Sequence, residues 1–116
     1  MGARLSHVFM VVSDLEAQRR LLVDVVGLHV LLDEGEYVRI GGDGGFNLGL
    51  EEGARGSSCD GLEMNIQVDD VFEVHRRLVD AGVRVEVDYP QRGVRVERAV
   101  RMIGQPATGV DRKSVV

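Results

Sequence analysis

The sequence predicts an α+β fold of two tandem β-α-β-β-β modules, whose strands form a curved mixed sheet around a shared concave crevice. Three observations predict it: an internal repeat, the same order of strand and helix signals in both halves, and alternation of polar and apolar side chains within strands. A chain of 116 residues has room for one domain. We therefore expect residues 1–116 to form a single domain, with module one over 4–52 and module two over 60–116.

The internal repeat has a period close to half the chain. Shifting the sequence by 56 positions gives six identities within residues 12–24, and among them Asp14 falls on Asp70. After a one-residue deletion the match resumes with Gly27 on Gly82. A period of this size indicates two copies of one module, because a solenoid needs three or more repeats.

Both modules show the same order of local signals. In module one, Ser13 and Glu16 form a capping box that opens a helix, and Gly27 closes it. In module two, Asp70 and Glu73 repeat the box, and the helix ends at Gly82. The predicted strands are Leu5–Val12, Val30–Leu32, Tyr37–Ile40 and Phe46–Leu50, then Leu62–Val68, Val83–Val87, Val94–Met102 and Arg112–Val116. The glycine run over 41–45 matches no phosphate-binding pattern and is predicted to be a hairpin turn.

Composition narrows the functional classes. A net charge of −5 with interspersed signs gives no basic face, so we expect no nucleic-acid partner. No long apolar segment or signal peptide is recognised, which predicts a cytoplasmic protein without a membrane partner. Aromatic residues make up only 4% of the chain, so we expect little stacking capacity. The single cysteine, Cys59, is expected to be inert.

Alternation indicates which side chains face away from the helices. In the fifth strand the polar residues Glu63, Asn65 and Gln67 alternate with apolar ones that pack on the helix. The first strand places His7, Phe9 and Val11 on the corresponding concave side. Because the repeat aligns His7 with Glu63, two paired modules would aim an imidazole and a carboxylate into one crevice.

Two segments of the sequence resemble those of a known family. The segments LSHVFMVVSDLEAQRR and GLEMNIQVDDVFEVHRRLVDAGV are similar to those of the vicinal oxygen chelate superfamily, which contains glyoxalase I, bleomycin resistance proteins and extradiol dioxygenases. The resemblance implies a glyoxalase/bleomycin resistance-like fold, a homodimer and a crevice that can hold a divalent metal. The implied metal ligands come from the first and fourth strands of each module, at His7, Asn47, Glu63 and near Ser114.

Only two of those four positions carry strong metal ligands. Asn47 and Ser114 stand where metal-dependent members usually have carboxylates, and two good ligands, His7 and Glu63, are too few for a site that also leaves positions open for substrate. We therefore expect no cofactor. The alternative is a divalent Zn, Ni, Fe or Mn ion.

The expected function is binding of a small molecule, as in the bleomycin-resistance class associated with antibiotic resistance, without metal or bond cleavage. The alternatives are a metal-dependent lyase, isomerase or dioxygenase that uses His7 and Glu63, and a structural or regulatory subunit with an empty crevice. Glu63 favours a cationic ligand, although Asn65 and Gln67 could equally face water. The predicted ligand-binding residues are His7, Phe9, Asn47, Glu63, Asn65 and Gln67.

Overall fold

The computed structural model describes residues 2–54, 63–88, 93–97 and 100–104. The chain divides into two compact units, Met1–Ser58 and Cys59–Val116. Each unit contains one four-stranded mixed sheet and one helical segment that packs on the sheet. The α+β class and the β-α-β-β-β order of each module are therefore confirmed.

Unit one begins with strand β1, continues through a helical segment and ends with three strands. The outer strand β1 pairs in parallel with β4, and β3 lies between β4 and β2 with antiparallel pairing. A β-bulge at Leu31 interrupts the pairing of β2 with β3. The elements are β1 (His7–Val12), α1 (Leu15–Arg19) with its π-helical continuation (Arg20–Val26), β2 (His29–Asp33), β3 (Tyr37–Gly41) and β4 (Asn47–Glu52).

Unit two repeats this topology. Strand β5 pairs in parallel with β8, and β7 joins β8 to β6 by antiparallel pairing. The elements are β5 (Met64–Val68), α2 (Val71–Asp80), β6 (Glu86–Asp88), β7 (Gly93–Glu97) and β8 (Val100–Gly104).

The prediction of one strand over Val94–Met102 is wrong, because the structure folds this segment into the two strands β7 and β8. Val94 pairs with Met102 across the hairpin, and both side chains are fully buried. The hairpin buries both ends of the segment on the same face of the sheet. One long strand would also place them on one face, so the period-two pattern of the sequence does not distinguish the two arrangements. The fourth strand of the module is thus β8. The predicted strand Arg112–Val116 lies outside the described residues.

Both helices begin at an aspartate. The carboxylate of Asp14 accepts a hydrogen bond from the Ala17 N–H at 3.0 Å, so the predicted cap at Ser13 is wrong by one residue. Asp14 has the extended backbone of an N-cap, and its negative charge is favoured at a helix N-terminus. Asp70 caps α2 as predicted, accepting from Phe72 and Glu73. The aligned aspartates of the repeat, Asp14 and Asp70, are therefore the N-caps of the helices in both units.

The two helical segments end at left-handed glycines but differ in their last turns. Gly27 has φ 102° and Gly82 has φ 78°, conformations that favour glycine and terminate a helix. Before Gly27 the chain is π-helical, and Gly27 N–H donates to the Leu22 carbonyl five residues earlier. Gly27 follows Asp14 by 13 positions, whereas Gly82 follows Asp70 by 12. The wider turn accommodates the additional residue.

The core of each unit lies between the helix and one face of the sheet. In unit one the helical stripe and the alternate positions of β3 and β4 are buried, and burial of each large apolar side chain contributes roughly 1.5–3 kcal/mol. The buried residues are Leu15, Leu21, Leu22, Val26, Val38, Ile40, Leu48 and Leu50 in unit one, and Val71, Phe72, Val74, Leu78, Val94, Val100 and Met102 in unit two. Within the described ranges, no helix is long and apolar enough to cross a membrane.

Candidate functional site

The face of the unit-one sheet opposite the helix carries several of the predicted ligand-binding residues. His7 pairs with Asn47 on the neighbouring strand, and Asn47 pairs in turn with Gly41. Paired residues of adjacent strands project to the same side of a sheet, so these side chains share one face. The Ser6 hydroxyl hydrogen-bonds the Nδ1 of His7 at 3.0 Å. We call the surface formed by His7, Phe9, Leu31, Tyr37, Arg39, Asn47, Gly49 and Glu51 the module-one face.

The centre of the module-one face is an aromatic pair. The rings of Phe9 and Tyr37 stack with their centroids 6.3 Å apart and their planes 27° from parallel. Phe9 pairs with Gly49, and a Cβ atom at Gly49 would lie only 2.6 Å from the Tyr37 hydroxyl and 3.2 Å from two ring carbons. The missing side chain at Gly49 therefore makes room for Tyr37 to lie across the sheet toward Phe9.

Arg39 borders the aromatic pair. Its Nε and Nη2 atoms donate hydrogen bonds to the Tyr37 hydroxyl oxygen at 3.3 and 3.1 Å. Its guanidinium carbon lies 5.9 Å from the centroid of the Tyr37 ring, within cation–π range. Arg39 forms no ion pair with any carboxylate of the part of the chain that the structure describes. A cation and a phenol therefore stand side by side on this face.

The module-one face exposes much of its apolar surface. Phe9 and Leu31 are each 52% exposed, although large apolar side chains of a folded domain are usually buried. The Leu31 side chain reaches across to Gly41, where an added Cβ would lie 2.8 Å from Leu31 Cδ1 and 2.7 Å from Asn47 Oδ1. Exposed aromatic and aliphatic groups beside a few polar ones are the composition of a small-molecule site.

The corresponding face of unit two is charged and lacks aromatic side chains among its described residues. Glu63 forms an ion pair with Arg95 Nη1 at 2.5 Å. Asn65 pairs with Arg101, and Gln67 pairs with Ile103, so all three predicted polar residues lie on this face. The Arg101 guanidinium lies across Gly93, where any Cβ would collide with it. In each unit, therefore, a glycine of the sheet leaves room for a long side chain to lie over it. Tyr37 lies over Gly49 in unit one, and Arg101 lies over Gly93 in unit two.

The residues present do not fit the divalent metal that the fold family implies. The Glu63 carboxylate is already neutralised by Arg95, and Arg101 adds a second positive charge on the same face. In unit one, His7 is paired with Asn47, a neutral amide where an anionic ligand is wanted. No group of three His, Cys, Asp or Glu side chains that could hold a metal occurs within residues 2–54, 63–88, 93–97 and 100–104.

The predicted site residues thus fall into two sets. His7, Phe9 and Asn47 share the module-one face, and Glu63, Asn65 and Gln67 share the face of unit two. Ser114 and Cys59 lie outside the described residues. Tyr37 and Arg39 were not among the residues predicted from the sequence, although their alternation with the buried Val38 and Ile40 is a signal that places them opposite the helix.

Comparison with solved structures identifies the fold. A possible glyoxalase from Bacillus cereus matches with a TM-score of 0.73 at 18% identity, over 88% of this chain and 99% of that one. The trypanothione-dependent glyoxalase I of Leishmania major matches with a TM-score of 0.68 at 18% identity, over 90% and 88%. An antibiotic-binding protein from a Streptomyces species matches with a TM-score of 0.63 at 19% identity, over 89% and 96%. No protein-family model and no curated protein matches the sequence.

These similarities define the class of protein by its fold. The chain has the fold of the vicinal oxygen chelate superfamily, and the resemblance predicted from the two strand-to-helix segments is confirmed at that level. Its structural neighbours include glyoxalase- and dioxygenase-type proteins as well as an antibiotic-binding protein. Since one scaffold carries different chemistries, the function must be argued from the side chains of this chain.

Proposed function

We propose that the protein binds a small organic molecule on the module-one face, without a metal and without breaking a bond. The observation that carries this proposal is the half-exposed Phe9 stacked on Tyr37, with Arg39 and Asn47 beside them. An aromatic surface with a few polar groups binds a ligand by stacking and orients it by hydrogen bonds.

Two further features favour binding over catalysis by a metal. The ion pair of Glu63 with Arg95 occupies the carboxylate that the metal-dependent alternative requires. The antibiotic-binding neighbour shows that the fold also serves proteins that bind without being described as enzymes.

A role in antibiotic resistance by sequestration belongs to the same proposal. The proposed assembly is a homodimer, tested by sedimentation at tens of micromolar.

The test is a thermal-shift screen of a metabolite and antibiotic library, followed by calorimetric titration of each stabilising compound. Phe9→Leu removes the stacked ring and is expected to weaken binding by about twofold to twelvefold, because an aromatic pair contributes ~0.5–1.5 kcal/mol beyond area burial. Phe46→Leu is the matched control, since Phe46 is 50% exposed and makes no ring contact with the described residues.

Two outcomes would contradict the proposal. A compound that binds the parent and Phe9→Leu equally well places binding elsewhere. Conversion of the bound compound, seen by mass spectrometry and dependent on added Zn, Ni, Fe or Mn, supports the lyase, isomerase or dioxygenase alternative with His7 and Glu63.

A further inference from the structure

We infer that the ligand of the module-one face is a planar aromatic anion: a ring that stacks on Phe9 and Tyr37 and carries a carboxylate bound by Arg39. This inference rests on the proposed function and specifies the chemical class of ligand. The sequence predicts a cationic ligand because of the Glu63 carboxylate, and the inference of an anionic ligand is the opposite. The charge of Glu63 is neutralised by its ion pair with Arg95 in unit two.

The aromatic part of the ligand follows from the geometry of the stacked pair. The two rings stack 27° from parallel, and Phe9 is 52% exposed, so the pair leaves aromatic surface open to solvent. A flat ring covers such a surface with little loss of conformational freedom. Gly49 keeps the sheet beneath Tyr37 clear of side-chain atoms.

The anionic part follows from the donors around the Tyr37 hydroxyl. This oxygen accepts two hydrogen bonds from Arg39, so its own proton is available to donate. A guanidinium has five N–H donors, and the remaining ones of Arg39 can reach an acceptor beside the ring. Because the guanidinium carbon is 5.9 Å from the ring centroid, a carboxylate attached directly to a stacked ring comes within reach of it.

Charge on the face supports the same class of ligand. Arg39 has no carboxylate partner among the described residues, so an incoming anion displaces no existing ion pair. The opposing charge is Glu51, an exposed carboxylate that pairs across the strands with Tyr37. His7 and His29 lie in the adjacent row of the sheet, so Glu51 is the carboxylate nearest to the proposed anion in the strand register.

The experiment compares three probes of one shape: naphthoate, the neutral naphthamide and the cationic naphthylmethylammonium. Calorimetric titration is expected to show naphthoate binding about tenfold more tightly than naphthamide, with naphthylmethylammonium the weakest. Cyclohexanecarboxylate, which keeps the charge without the flat ring, is expected to bind more weakly than naphthoate. Phe9→Leu should weaken all three naphthyl probes.

Variants of the charged residues test the assignment directly. Arg39→Gln is expected to remove the preference for naphthoate over naphthamide, and Arg39→Lys to retain part of it, because lysine keeps the charge and loses the planar fork. Arg20→Gln, on the exposed surface of the helical segment, is the matched control with no effect. Glu51→Gln should strengthen naphthoate binding by about twofold to threefold, the opposite sign, by removing repulsion.

The outcomes separate the inference from the function on which it rests. If naphthylmethylammonium binds best and Phe9→Leu weakens it, the face binds ligands but the anion assignment is overturned. If no naphthyl probe binds, the ligand class is wrong, and the library titration alone decides the proposed function. If Phe9→Leu converts a dimer to a monomer and changes no affinity, a second copy of the chain occupies the face and both proposals fail.

Discussion

Gly49→Ala tests whether the missing side chain at Gly49 positions Tyr37. The added Cβ would lie 2.6 Å from the Tyr37 hydroxyl oxygen, so that oxygen must move by about 0.8 Å to restore an ordinary contact of 3.4 Å. The atom in the way is the end of a rotatable side chain, so we expect the tyrosine to move and the strand to stay. The two hydrogen bonds from Arg39, now 3.1 and 3.3 Å, would then be lost or strained.

The energies of this substitution partly cancel in stability but not in binding. Losing the stacked arrangement costs ~0.5–1.5 kcal/mol and losing the hydrogen bonds about the same again. Replacing glycine within a strand recovers ~0.5–1 kcal/mol of conformational entropy. The free energy of unfolding should therefore fall by between about 0 and 2.5 kcal/mol, whereas naphthoate affinity should fall by about tenfold.

Denaturant unfolding gives the stability, titration gives the affinity, and the assigned ring protons of Tyr37 report its position by NMR. Gly44→Ala is the matched control, because a Cβ at Gly44 meets no atom within 4 Å and its backbone conformation is open to alanine. The reasoning is refuted if Gly49→Ala leaves the Tyr37 ring shifts and the affinity unchanged while Gly44→Ala behaves identically.

Three further predictions concern metal, backbone and pH. Elemental analysis of the purified protein should find less than about 0.2 equivalents of any transition metal, since the ligands are too few; one equivalent would favour the enzyme alternative. Gly82→Ala should lower the free energy of unfolding by about 1 kcal/mol, because φ is 78° there, whereas the control Gly44→Ala should not. The Gly35 N–H and the Arg19 guanidinium hold the pKa of Asp33 below its ordinary value of 3.8. The stability that ionised Asp33 adds to the fold is complete above pH 3.8 and is lost as pH falls through its lower folded pKa. Asp33→Asn should therefore reduce the loss of stability with acid in denaturant titrations. An unchanged dependence on pH would exclude this contribution.

Much of the fold could be predicted because its signals are local. The aligned aspartates and glycines mark the start and end of both helical segments, and polar–apolar alternation orients β1 and β5. The hairpin of β7 and β8 was missed because the intervening residues, Arg98 and Ala99, include none of the usual turn formers. The apolar residues at 94, 96, 100 and 102 keep one period of two on both sides of the adjacent polar residues Glu97 and Arg98, so the burial of both strands against the helix is what reveals the reversal.

The candidate site was less predictable because it depends on register between strands. Nothing local in the sequence indicates that Gly49 would lie beneath Tyr37, since that proximity requires β3 and β4 to pair with Arg39 opposite Gly49. The ion pair of Glu63 with Arg95 likewise joins residues 32 positions apart. Propensity and periodicity describe single elements, whereas the chemistry here arises where neighbouring strands meet.

The π-helical turn of module one bears on how the two copies diverged. An extra residue in a regular helix rotates everything after it by about 100° and would turn the following strand away from its partner. Here the wider hydrogen-bond ring takes up the additional residue before Gly27, and β2 begins at His29, two residues later. We therefore expect residues 20–26 to be the part of module one where a natural or engineered variant can lose one position with the least effect on the pairing of β2 with β3.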